Sequence, residues 1–209
     1  MAETKINAGA VVKIRLSTFT REGALTLNSG ESYLNCAVID PVAGSAYFGA
    51  QTTPGKVIKV GLSGLTRDNV LTLNAGEDQL MSAVIDTTNG FSYFGTQTAP
   101  GKVVKVRLAD LSRVDALDFD TSVNYAYSAV MDSVTGFAYF GTGSGGRIVP
   151  VRLSDFSRGD TLALNVVGDL FSAVIDPTAR SLYFGTWTTP GKVVKVDIRE
   201  MLYLPLILR

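Results

Sequence analysis

Residues 37–61 read AVIDPVAGSAYFGAQTTPGKVIKVG, and residues 83–107 read AVIDTTNGFSYFGTQTAPGKVVKVR. The opening tetrapeptide Ala37-Val38-Ile39-Asp40 returns at 83–86, as Ala129-Val130-Met131-Asp132, and at 173–176, at intervals of 46, 46 and 44 residues. Tyr47-Phe48-Gly49 recurs from Tyr93, Tyr139 and Tyr183. Val11-Val12-Lys13-Ile14-Arg15-Leu16 recurs from Val57, Val103, Ile148 and Val193, and Ala24-Leu25-Thr26-Leu27-Asn28 recurs at 70–74, 116–120 and 162–165. Each unit therefore holds four short β-branched and aromatic runs punctuated by Gly, Pro, Asn, Asp or Ser, the pattern of strands joined by turns. Helical solenoids have similar periods, but no stretch between the glycines carries apolar residues every three or four positions.

A period near 45 with four strands per unit reads as a propeller blade, whose strands are apolar on both sides because each blade lies between two others. The sequence predicts an all-β chain, a β-propeller of about four four-stranded antiparallel blades. Residues 1–209 read as one domain, with repeat units near 11–56, 57–102, 103–147 and 148–192, a closing strand at 193–198 and an atypical tail at 199–209.

The order AVID, turn, AYFGAQT, turn, VIKVGL, LTLNAG resembles the blade of YVTN-type propellers over about residues 10–198, with Tyr47-Phe48-Gly49-Ala50 standing at the namesake tetrapeptide. Phe-Gly replaces the usual Val-Thr, and the Pro-Gly-Lys turn is this chain's own. The resemblance implies architecture and not chemistry, since that repeat is a structural consensus. No WD dipeptide and no tryptophan-docking pattern occurs, and the His residues that lactonase or lyase propellers would need are missing.

Counting runs exposes a closure problem. With AVID, YFG, VVKVRL and LTLN as runs A to D, the chain begins C-D, passes through three ABCD units and ends A-B-C. The terminal pairs could build one blade, with one C strand left over to be displaced, swapped to another chain or stacked on an edge. Alternatively, LPLILR in the tail supplies a D strand and the N-terminal pair is a half blade of a larger ring. Both readings stay open, and both allow a homo-oligomer through an unpaired edge strand.

Composition narrows the function. Nineteen Lys and Arg balance 19 Asp and Glu, which leaves no electrostatic footprint for nucleic acid or an anionic membrane. The absence of His removes imidazole bases, Ser-His-Asp and Cys-His nucleophiles and His-containing metal sites. No catalytic set, metal site or cofactor is expected. A lone Cys36 offers no internal disulfide, and its alignment with Ser82, Ser128 and Ser172 makes it a small buried residue. The start of the chain lacks a signal-peptide pattern. The most apolar segment, 201–208, is under half of the ~20 residues a membrane-spanning helix needs, so no span is expected. An extracellular or cell-surface setting stays open.

Four aspartates end the A runs, Asp40, Asp86, Asp132 and Asp176, and read as turn residues accepting backbone N–H bonds. A calcium site would want several oxygens from one loop, and these loops supply one. Arg21, Arg67, Arg113 and Arg158 recur between C and D, on the face where the aspartates emerge, and are expected to pair with them. The opposite face carries the varied loops: Glu31, Glu77 and Asp169 between D and A, and Gln51, Gln97 and Trp187 between B and C. The lysines of Pro-Gly-Lys follow a type II-like turn and are expected to point to solvent. Variation on a fixed scaffold suggests binding, so the leading expectation is a non-enzymatic scaffold or interaction module that presents these loops to a protein or carbohydrate. The rival readings are a carboxylate-dependent polysaccharide hydrolase using Glu31 with Glu77 or Asp169, and a propeller fragment with no activity of its own.

Overall fold

Runs of the AVID type alternate buried and partly exposed side chains, whereas the central YFG runs are buried on nearly every residue, and this difference orders the strands within a blade. The computed structural model describes residues 8–143, 145–164 and 168–199. Its first full blade is the antiparallel sheet β3 (Leu34–Asp40), β4 (Ser45–Ala50), β5 (Lys56–Gly61) and β6 (Thr66–Thr72). The second repeats it as β7 (Leu80–Asp86), β8 (Phe91–Thr96), β9 (Lys102–Arg107) and β10 (Ser112–Asp118). The third is β11 (Ala126–Asp132), β12 (Phe137–Thr142) and β13 (Arg147–Arg152), with its outer strand split into β14 (Ser157–Arg158) and β15 (Leu162–Ala163).

That split has a covalent cause. Pro150 occupies the place of Lys59 and Lys105, and its carbonyl, bonded to the Gly159 N–H at 2.9 Å, faces the outer strand. In an antiparallel ladder a residue's N–H points the same way, so proline removes one donor from that edge and the pairing breaks there.

Over the described residues the chain is an all-β, propeller-type stack that does not close into a ring. β1 (Ala10–Arg15) and β2 (Thr20–Thr26) form a separate two-stranded sheet, and β16 (Asp169–Asp176), β17 (Ser181–Trp187) and β18 (Val193–Asp197) form a three-stranded one. The N-terminal C and D runs are thus a half blade that does not complete the last sheet. The proposed D strand in the tail lies outside the described residues.

The core is a series of blade junctions. Tyr47 and Val57 of the first full blade pack on Leu80, Phe94, Val104 and Val106 of the second. Val84, Tyr93 and Val103 then meet Ala126, Phe140 and Val149, and Val130, Tyr139 and Ile148 meet Leu170, Phe184 and Val196. Leu27, with Val11 and Leu25, joins the half blade to Ala50, Ile58 and Val60. Fully burying each such aliphatic or aromatic side chain contributes about 1.5–3 kcal/mol, so the junctions carry most of the stabilisation.

The glycine of YFG sets the junction spacing. A Cβ on Gly95 would lie 2.6 Å from the Ala126 Cβ and 2.9 Å from its carbonyl oxygen, with the Ser82 hydroxyl closer still. Ser82 donates across the junction to that Ala126 carbonyl at 2.7 Å, and Ser128 donates to the Leu170 carbonyl at 2.8 Å. Cys36, at the same position, instead reaches the Gly49 carbonyl of its own blade at 4.0 Å.

The Pro-Gly-Lys segments depart from expectation. The bonds preceding Pro54, Pro100 and Pro190 are cis, and Gly55, Gly101 and Gly191 lack the positive φ a type II turn requires. Gly55 is needed for another reason: a Cβ there would lie 2.7 Å from the Glu77 carbonyl oxygen that its N–H bonds. Lys192 is exposed as expected, but the other three cations at this position are tied down. Lys56 donates to the Gly30 carbonyl at 2.9 Å, Arg147 donates to the Ser122 carbonyl at 2.8 Å, and Lys102 pairs with Asp118.

Gly95→Ala should destabilise the protein by about 1–3 kcal/mol, because the junction must widen to admit a methyl group. Thermal unfolding checks this. Gly90→Ala is a poor control because Gly90 has φ +76°, whereas Ala138→Gly, which adds no volume, should leave the junction spacing intact.

Candidate functional site

One residue near the start of each inner strand is skipped in the pairing register. The ladder jumps from Leu34 to Cys36, from Leu80 to Ser82, from Ala126 to Ser128 and from Leu170 to Ser172. The bulged residues are Asn35, Met81, Tyr127 and Phe171, and a bulge re-aims the side chain it carries. Each lies beside the loop following a YFG strand, where Gln51, Gln97 and Trp187 stand.

These side chains join across blades. Asn35 Nδ2 donates to Gln51 Oε1 at 3.0 Å and lies 3.2 Å from the Met81 sulfur. Gln51 Nε2 donates to Gln97 Oε1 at 2.9 Å, and Gln97 Nε2 reaches the Tyr127 hydroxyl at 3.4 Å. The strip then becomes aromatic. Tyr127 stacks on Tyr125 with centroids 5.5 Å apart and on Phe171 at 4.3 Å, and Phe171 lies 5.0 Å from the Trp187 ring. Burial first, and the Asp169 carboxylate second, push the Tyr127 phenol up, so it stays protonated and keeps a proton to donate. Trp187 is 72% exposed and lines an open hollow with Thr186, Thr188 and Thr189.

Of the residues singled out in the sequence, Gln51, Gln97 and Trp187 lie in this strip. Asp169 lies in β16, paired across the ladder with Trp187. Glu31 and Glu77 do not join it. They are 3% and 4% exposed, and each receives a two-pronged arginine: Arg67 Nε donates to Glu31 Oε2 at 2.8 Å, and Arg113 Nε to Glu77 Oε1 at 2.8 Å. Each glutamate also caps its own loop by accepting the N–H of Asn28 or Asn74, at 3.1 and 3.0 Å. Where the third such loop has Val123 in place of glutamate, the acid moves to Asp120, and Arg158 pairs with it.

The arginines therefore pair with loop acids and not with the aspartate set. The aspartates instead cap their own turns: Asp40 Oδ1 accepts the N–H groups of Val42 and Ala43, and Asp176 Oδ1 those of Thr178 and Ala179. Asp86 accepts from Asn89, and Asp132 from Val134 and Thr135. Arg21 pairs with no acid among the described residues, while Arg180, at a turn position where the earlier units have Gly44, Gly90 and Gly136, reaches Asp132 at 3.1 Å.

Sequence reasoning missed Asn35, Tyr127, Phe171 and Tyr125. Their signal was available: the residue before Cys36, Ser82, Ser128 and Ser172 changes from Asn to Met, Tyr and Phe while its neighbours barely change. Cys36 is half-buried and its thiol is pushed up to about 12 by burial, which leaves it no thiolate at neutral pH. Among the described residues, no three Cys, Asp or Glu side chains cluster as metal ligands would, and no helix is long and apolar enough to cross a membrane.

No known family pattern matches this chain, and no curated protein sequence matches it. Its backbone is similar to solved structures. U3-55K superposes with a TM-score of 0.67 at 10% identity, over 80% of this chain and 50% of that one. The WD40 repeats of RRP9 give 0.67 at 10% over 80% and 49%, and hydrazine synthase of Kuenenia stuttgartiensis gives 0.68 at 11% over 79% and 46%. These define the class, a propeller-like β-repeat fold, and the chain spans about half the length of each structure it matches.

The Glu31 clamp has a pH signature. The Arg67 hydrogen bonds hold the Glu31 carboxyl below its ordinary value of 4.5, against a smaller opposing effect of burial. A lowered folded value means that the clamp stabilises above the ordinary carboxylate range and loses that contribution as pH falls through the folded value. Glu31→Gln should cost about 1–3 kcal/mol at pH 7, the scale of a charged hydrogen-bonded partner, with a gap to wild type that closes in acid. Urea unfolding from pH 7 to pH 3 checks this.

Proposed function

We propose that the chain is a non-enzymatic binding module that presents the strip from Asn35 through Gln51, Gln97 and Tyr127 to Phe171 and Trp187 to a protein partner. The carrying observation is the continuous side-chain ladder across the blades, amide at one end and aromatic at the other. Such a surface carries little charge, offers two-way hydrogen bonding through its amides and ends on exposed aromatic rings, the composition favoured at the centre of protein interfaces. Among propellers, the tetrapeptide around Gly49, Gly95, Gly141 and Gly185 supports the YVTN type, with the repeat units acting as one domain.

A carbohydrate partner is the second reading, favoured by the amides beside Trp187, since a sugar presents hydroxyls and a flat apolar face. A hydrolase is disfavoured: it needs one carboxyl held protonated, and Glu31 is driven the other way by Arg67, while both oxygens of Glu77 are taken up by hydrogen bonds from Arg113 and Asn74.

Peptide display against the purified protein should enrich ligands whose affinity falls at least tenfold with Trp187→Ala, and also with Gln97→Ala, which lies in the middle of the stack. Variants at Asp110 and Asp155, whose partners Arg107, Ser112, Arg152 and Ser157 all lie two or three residues away in the chain, should bind normally. Binding to a glycan array with no peptide enrichment would transfer the site to carbohydrate, and ligands insensitive to both strip variants would remove it.

A further inference from the structure

We propose that the terminal hairpin β16–β17 of a second copy of this chain fills the vacant inner half of the N-terminal half blade and pairs with β1. Among the described residues the half blade consists of the two outer strands alone. Where its inner hairpin would stand there is a groove of about 550 Å³, lined by Val11, Val12, Val38, Ile39, Phe48 and Leu65.

The repeat reports what belongs there. Val12 is 52% exposed and Ile14 is 42% exposed, whereas their counterparts Ile58, Val60, Val104, Val106, Val149 and Val151 are fully buried against the preceding blade, which a second copy would bring behind its hairpin. Phe48, on the groove wall, corresponds to Phe94 and Phe140, which pack against the inner hairpin of the preceding blade. Lys13 corresponds to Lys59, Lys105 and Lys195, each lying over a tyrosine of the adjacent YFG strand at 5.7, 5.7 and 5.9 Å, and β1 has no such strand beside it.

The other end of the stack carries the complementary piece. β16 and β17 present Ala173, Val174 and Tyr183 to a shallow open hollow, whereas their counterparts Val84, Val130, Tyr93 and Tyr139 are buried in junctions. The hairpin's present outer neighbour β18 buries Val196, followed by Ile198, in the last junction, where Ile14 and Leu16 would take their places, but it has Val193 75% exposed and no fourth strand beyond it among the described residues. Exchanging β18 for β1 conserves the ladder bonds of β17, since both strands carry the same run, and β1 brings β2 with it. The exchange turns a three-stranded and a two-stranded sheet into one complete blade and releases a single strand.

The hairpin comes from a second copy because of curvature. The stack follows structures about twice its length, which places its own β16–β17 at the far end of the arc from β1. A second copy brings an identical hairpin with the blade behind it. The proposal rests on the end faces alone and stands independently of the strip's ligand.

The repeat register places Ser181 opposite Asp197 within one chain and Ser45 opposite Gly61, so the exchange would set Ser181 of one copy opposite Arg15 of the other. In a Cys36→Ser background, Arg15→Cys and Ser181→Cys chains should each remain uncrosslinked alone and form a disulfide-linked dimer when mixed under mild oxidation. Wild-type protein should sediment at twice the chain mass and dissociate on dilution. Sedimentation as a monomer at every concentration overturns the proposal. So does a cross-link confined within the doubly substituted chain, which would mean self-closure, or failure to link while Ser181→Cys/Asp197→Cys links readily, which would mean that β18 stays in place.

Discussion

The distance at which one blade can approach the next governs this molecule. At each junction the glycine of the YFG run lies beneath a Ser or Cys side chain of its own blade and against the first inner residue of the following one. Only a residue without a Cβ permits that approach, and the approach brings Tyr47, Tyr93 and Tyr139 onto the aliphatic rows of the neighbouring blade. Core packing, the Ser82 and Ser128 cross-blade bonds and the alignment of inner strands into one continuous surface all follow from it. The bulge one residue upstream of that Ser or Cys is part of the same device. It absorbs an extra residue without disturbing the contact, and it turns Asn35, Tyr127 and Phe171 toward the neighbours with which they form the strip.

Electrostatics play a local role. The balance of charges is built into the repeat, in which carboxylates cap turns and arginines clamp loops. The move of the loop acid from Glu31 and Glu77 to Asp120 shows that the arginine's requirement is for a carboxylate within reach, and not for a particular side chain. The clamps orient the loops that lead into each blade, and they consume the acids that would otherwise suggest carbohydrate chemistry.

Much of the architecture was legible because strand sequence, turn residues and spacing recur together, and four runs per unit specify a blade without knowledge of any contact. Closure was not legible. It depends on the angle between successive blades, a property of many small packing choices, and the same runs are compatible with a four-bladed ring and with an arc of a longer one. The site was half legible. Gln51, Gln97 and Trp187 stood out as varied residues at a fixed position, but Tyr127 and Phe171 were hidden inside strands, where the period-two pattern gives no sign of a bulge. Glu31 and Glu77 misled because their partners lie 36 residues away in the chain. The split outer strand of the third blade was foreshadowed by Pro150, whose effect depends on which edge its nitrogen faces.

The arginine clamps have a consequence for how the molecule comes apart. Each ties an outer strand to the loop entering the same blade, and each apolar cluster spans two adjacent sheets, so energetic coupling runs between nearest neighbours along the stack. A chain built this way behaves as a one-dimensional lattice in which end units open at the expense of a single neighbour and central units at the expense of two. Amide protection should accordingly form a gradient, highest in β8 and β12 and falling toward β1 and β18, with its two low ends at the surfaces that the stack leaves without a neighbour.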